Sequence, residues 1–120
     1  MSAQSGPAIP PALFDRLRQV ARARDTVFYS EIAPTVGIDT GNPNFAALVG
    51  HILDEVNRVE FAQGRPLLSA IVISKENNMP GRGFFECARD LGRYSGKGDL
   101  EHLGFWVEEL RRVHDYWSRH

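Results

Sequence analysis

The chain has 120 residues, 42% hydrophobic and 24% charged, with 14 Lys+Arg against 15 Asp+Glu and a formal net charge of -1 at pH 7. Autonomous domains usually run about 100 to 200 residues, so one domain with a real core is expected over residues 10–120, and most large enzyme architectures are not expected. The balanced charge provides neither a global basic field for nucleic acid nor an acidic bulk that would keep the chain unfolded, so any charged partner must be met by a local patch.

Residues 1–9 are small, polar and aperiodic and read as a flexible tail. From Pro11, Leu13, Phe14, Leu17, Val20 and Ala21 fall on one helical face, predicting a helix to about Asp25 whose outer side carries Arg16, Arg18, Arg22 and Arg24. Residues 26–29 are β-branched and aromatic and predict a short strand. Ser30 then resembles an N-cap for a brief helix through Val36, closed by Gly37. Asn42-Pro43 joins a capping side chain to the residue favoured at the first helical position, and Phe45, Leu48, Val49, Ile52, Leu53, Val56 and Val59 continue an apolar stripe up to Gly64.

Residues 67–73 (LLSAIVI) form a nearly unbroken apolar run and predict a strand buried on both faces. A loop rich in turn formers, Ser74 to Gly83, opens a fourth helix that Gly92 closes. Asp99 is expected to cap a final helix with an apolar stripe of Leu100, Leu103, Trp106, Val107, Leu110, Val113 and Trp117. The fold class expected is therefore mainly α with a small β component, about five helices around one buried strand and a short one.

Enzyme templates find little purchase. Gly81-Arg82-Gly83 lacks the third glycine of a dinucleotide fingerprint, and no glycine-rich stretch ends in Gly-Lys-Ser/Thr. His51, His102, His114 and His120 show no metal-ligand spacing. His102 and His114 share a helix but stand about 120° apart around it, so neither metal nor cofactor is expected. Cys87 sits among apolar helical positions, the setting of an inert thiol, and as the single cysteine it forbids an intramolecular disulfide. With apolar runs far shorter than the ~18 to 20 residues that span a bilayer, and no signal-peptide pattern, a cytoplasmic protein without a membrane partner is expected.

Two surfaces remain. Lys75, Gly81, Arg82 and Gly83 lie in a loop feeding a helix N-terminus, where free N–H groups and cations suit a phosphate or other anion; a tight turn with purely conformational glycines is the alternative. The helix beginning at Asn42 presents Asn44, Ala47, His51, Asp54 and Arg58 outward. Amide and small side chains fit a nucleic-acid groove, although Asp54, Glu55 and Glu60 carry the wrong sign, so only its N-terminal half is a credible reader.

Helix, short strand, short helix, turn, long helix and buried strand is the order of a winged-helix or helix-turn-helix module. The segment Val27-Phe28-Tyr29-Ser30-Glu31-Ile32-Ala33-Pro34-Thr35-Val36-Gly37 resembles the Tyr-x-x-Ile/Leu-Ala-x-x-x-Gly opening of the DNA-binding half of alkyltransferase and alkyltransferase-like proteins. In that family a Pro-Cys-His-Arg motif supplies the nucleophile; here Pro66-Leu67-Leu68-Ser69 stands in its place, so the resemblance implies a binding fold without alkyl transfer. A second similarity, through residues 65–73 and 80–85, is to small prokaryotic winged-helix modules that occur alone or joined to restriction-type nucleases. The expectation is a non-catalytic module for nucleic acid, DNA first, through Asn42, Asn44, Ala47, His51, Lys75, Gly81, Arg82 and Gly83. The alternatives are a protein-interaction or homodimerisation domain using the C-terminal helix, or a small phosphate-ligand binder at residues 81–83.

Overall fold

A computed structural model describes residues 9–120. Among them five α-helices and two short strands alternate in the order α1 (Pro11–Arg22), β1 (Val27–Phe28), α2 (Tyr29–Ile32), α3 (Phe45–Ala62), β2 (Val72–Ile73), α4 (Arg82–Asp90) and α5 (Asp99–Ser118). The fold is mainly α with a small β component. The expected tail falls mostly on residues 1–8, outside the described residues. Ile9, its last member, is instead packed against the core.

Helix α1 starts where Pro10-Pro11 costs no hydrogen bond, and it buries Leu13, Leu17 and Ala21 at helical spacing. It ends at Arg22, before the expected Asp25, because Arg24 turns into the left-handed region at φ 56°. Strand β1 runs parallel to β2, pairing Val27 with Val72 and Phe28 with Ile73. Helix α2 begins at Tyr29, so Ser30 lies inside it and does not cap it. Its end-capping comes from Glu31, whose carboxylate reaches back to accept the Phe28 N–H at 2.9 Å. After one turn Pro34 helps tighten the chain into a 3-10 turn (Ala33–Val36), which Gly37 ends at φ 74°, a conformation that only glycine adopts without strain.

Helix α3 begins at Phe45, later than Asn42-Pro43 suggests. The Asn42 side chain accepts the Asn44 N–H at 2.8 Å and its carbonyl accepts the Phe45 N–H at 3.0 Å, so the pair builds a turn that delivers the chain to the helix. Likewise Gly98, not Asp99, holds the N-cap position of α5, where Glu101 accepts the N–H groups of Lys97 and Gly98. Helix α4 starts at Arg82, so Arg82 and Gly83 belong to the helix and not to the loop expected over Ser74 to Gly83.

The largest departure concerns residues 67–73. They are buried as expected, but Leu68–Ile71 form a 3-10 turn and only Val72–Ile73 form a strand. The reason is that side chains from two helices satisfy main-chain groups that a neighbouring strand would otherwise pair. Glu109 of α5 accepts the Leu67 N–H at 2.8 Å. Asn57 of α3 accepts the Ser69 N–H at 3.1 Å and donates to the Ser69 hydroxyl at 2.8 Å, and Trp106 donates its indole N–H to the Ala70 carbonyl at 2.8 Å. Glu60, read from sequence as a surface acid, is fully buried in a bidentate pair with Arg65 at 2.6 and 3.3 Å. Glu109 is likewise buried and paired with Arg93 at 2.5 Å.

Helix α5 packs on α1 and the 68–71 turn, whereas α3 packs on α4, α2 and that same turn. The α5 stripe splits along its length. Val113 and Trp117 are buried and Trp106 and Leu110 half-buried, but Leu100 is 82% exposed, Val107 53% and Leu103 41%. At 100° per residue the second group lies roughly 80° around the helix from the first, beyond the arc that α1 and the turn cover. No helix of the described residues is long and apolar enough to cross a membrane.

Candidate functional site

The N-terminal half of α3 and the N-terminus of α4 diverge to leave an open cleft of about 400 Å³, floored by Ser69, Leu53 and Phe84 and flanked by Tyr29. The α3 wall is low because it is made of Ala46, Ala47 and Gly50. A Cβ added at Gly50 would meet nothing within 4 Å, so packing does not require glycine there, and its helix-breaking cost of about 1 kcal/mol relative to alanine goes uncompensated by any close contact. What the missing side chain does is keep the cleft open.

Tyr29 fixes the opposite edge. Its hydroxyl accepts the Gly81 N–H at 2.8 Å, and a Cβ at Gly81 would stand 3.2 Å from that oxygen, so any larger residue there must push the phenol back by a few tenths of an ångström. Burial raises the Tyr29 pKa above its usual 10.0, Gly81 pulls it back, and the charge of Asp54 pushes it further up. The phenol therefore stays protonated, with its own O–H available to a ligand. Residues 74–79 fold on themselves: the Ser74 N–H reaches the Met79 carbonyl and the Asn78 N–H the Ser74 carbonyl, while Asn77 and Ser74 side chains accept the N–H groups of Met79 and Glu76. No β-hairpin forms there.

Five of the eight residues singled out from sequence meet at this cleft: Ala47, His51, Gly81, Arg82 and Gly83. Asn42 and Asn44 stand exposed at the turn leading into α3, the Asn44 side chain making no capping bond. Lys75 lies apart from the cleft lining, its ammonium 5.4 Å from the centre of the Phe28 ring. The Gly81 N–H is already used by Tyr29, which removes it from any anion nest. Gly83 has open space around its Cα and needs no glycine for packing.

The cleft itself is not cationic. Arg82 faces Asp54, Glu76 and Glu86 across it. Burial pushes the Asp54 carboxyl from 3.8 up to about 6; Arg58 and His51 act against the rise, Glu55 and Glu86 reinforce it. A phosphate is therefore disfavoured on the floor; Arg82 is the one exposed cation among the lining residues. Of the other nearby cations, Arg89 is held by the Gly96 carbonyl at 2.8 Å and Arg93 by buried Glu109, so neither is free for a ligand. Cys87 is buried beneath α3, its thiol pushed by desolvation up to about 11, which leaves it without nucleophilic thiolate near neutrality. Among the described residues no three His, Cys, Asp or Glu side chains converge as metal ligands would.

Sequence reasoning missed Tyr29, Asp54 and Ser69 as cleft residues. The small-residue spacing Ala46, Ala47, Gly50 was the available signal, since a helical glycine without a packing partner marks a surface left open. Ser69 had none, because its position depends on Asn57 twelve residues away. No protein-family model, no curated protein and no solved structure matches the chain.

Proposed function

We propose that the protein is a non-catalytic nucleic-acid-binding module of helix-turn-helix type, with duplex DNA as its first expected ligand and the cytoplasm as its location. The observation that carries this reading is the uncovered N-terminal half of α3. Ala47, Leu48 and His51 are exposed along it and Asn42 and Asn44 on the turn that leads into it, while α5 lies on the other side of the 68–71 turn. Amide, methyl and imidazole groups on an exposed helix are suited to base edges, and Arg82 and Lys75 flank them as phosphate contacts. With two such cations, binding is modest and falls with salt at a log–log slope of about -2.

Fluorescence anisotropy with duplex and single-stranded probes at low ionic strength tests the proposal. Asn44→Ala with His51→Ala is expected to weaken binding selectively for preferred sequences. Arg82→Ala with Lys75→Ala weakens all sequences and flattens the salt slope. Absence of binding at low salt, or indifference to the Arg82/Lys75 pair, refutes it.

The exposed strip of Leu100, Leu103 and Val107 favours a second reading, a protein-interaction or homodimerisation surface on α5. Sedimentation at micromolar concentration separates the two, since a clean monomer removes the homodimer.

A further inference from the structure

On the edge away from the cleft, α1, the chain just after α3, and α5 converge on Trp117, which is only 6% exposed. Three guanidinium groups surround its indole: the carbon centres of Arg18, Arg22 and Arg65 lie 5.0, 5.6 and 6.0 Å from the ring centroid. One cation over an aromatic face is ordinary packing. Three on one indole bring like charges together, and the carboxylate that meets them is Glu60, 2.6 Å from Arg65 and 3.9 Å from Arg18. Positive charge remains in surplus over Glu60. Arg22 has only the main-chain oxygen of His120, at 3.5 Å.

A second observation points to the same place. The two buried side-chain polar atoms that find no hydrogen-bond partner among the described residues are Arg18 Nε and Trp117 Nε1. Both are donors, on groups stacked against one another. Unpaired buried donors are rare in folded proteins and call for an acceptor.

We propose that this edge is a phosphate-binding site, in which Arg18 and Arg22 grip a phosphate mono- or diester and the Trp117 indole N–H donates to one of its oxygens. Because both donors are buried, ligand entry requires Arg18 to move, and its side chain is 29% exposed on the solvent side. Phosphate matches the site better than a carboxylate does. Its tetrahedral oxygens accept from donors on separate elements, whereas the two carboxylate oxygens share a plane, and a monoester adds a second negative charge that a carboxylate lacks. Arg65 stays with Glu60 and contributes field only. The source is a free phosphate compound or the backbone of a nucleic acid. This inference does not depend on the α3 face.

The test uses the indole N–H signals of the intact chain in two-dimensional proton–nitrogen NMR. Trp106, bonded to the Ala70 carbonyl at 2.8 Å, serves as internal control, and Trp117→Phe assigns the other signal. Inorganic phosphate and a short duplex are added separately at constant ionic strength. The Trp117 signal is expected to move saturably downfield while Trp106 stays, and Arg22→Gln to weaken the midpoint by about tenfold. Saturation by inorganic phosphate assigns a free phosphate ligand. A response to duplex alone assigns a nucleic-acid backbone. A Trp117 signal unmoved by both, or moved equally by chloride, or unchanged in its response by Arg22→Gln and Arg18→Gln, overturns the proposal and leaves the α3 reading intact.

Discussion

Replacing Asp54 by asparagine tests whether the cleft is as dehydrated as its geometry implies. The carboxyl is half-buried between His51 and the α4 N-terminus, and its pKa rises from 3.8 to about 6. Two pH units at about 1.4 kcal/mol each give a ceiling of ~3 kcal/mol for the cost of ionising it in the folded state. Partial solvent access screens this to roughly half, about 1.5 kcal/mol. A carboxyl whose folded pKa is raised contributes stability below its unfolded pKa and loses it as pH rises through the folded value. Urea unfolding of the parent and of Asp54→Asn is therefore expected to show a stability difference, variant minus parent, that grows by about 1.5 kcal/mol between about pH 3 and about pH 7 and is flat beyond. Taking the pH dependence of the difference removes any constant effect of the amide itself. A difference independent of pH, or one that shrinks as pH rises, would refute the reasoning. Asp54 would then be a solvated surface acid and the cleft wetter than described. Under the proposed function the same titration makes nucleic-acid affinity rise below pH 6 in the parent more than in Asp54→Asn.

Other consequences follow from buried contacts. Glu109→Ala leaves both the Arg93 guanidinium and the Leu67 N–H without their partner and should cost about 3–5 kcal/mol in urea unfolding, with Arg93→Met in the same chain recovering part of the loss. Tyr29→Phe strands the Gly81 N–H and should cost about 1–2 kcal/mol. Gly81→Ala should be less damaging in the Tyr29→Phe background than alone, because the oxygen that the new methyl crowds is gone; additive losses in a double-mutant cycle would contradict that contact. Cys87 should react with a thiol reagent at pH 8 only as fast as the protein opens, and rapidly in urea; prompt labelling of the native chain would contradict its burial.

What the amino-acid order determined is what local physics can carry. The apolar spacing of Leu13, Leu17 and Ala21, and of Val49, Leu53 and Val56, marks which side of α1 and α3 is buried, since helical periodicity is a property of a few turns. Gly37 and Gly64, at φ 74° and 73°, end their elements where only glycine is unstrained. Burial of residues 67–73 was equally legible from composition. Their conformation was not, because it depends on Asn57, Trp106 and Glu109 arriving from distant helices to bond main-chain groups that a strand neighbour would otherwise take. The same limit governs the candidate sites. His51 and Arg82 could each be picked out as a polar group near a helix start, but their meeting across one cleft with Asp54 and Tyr29 follows from how α3, α4 and α2 pack. The Arg18, Arg22, Arg65 and Trp117 cluster joins positions nearly a hundred residues apart. Residue spacing along a chain encodes which side of an element faces inward; which elements then face each other is set by the packing of the whole core.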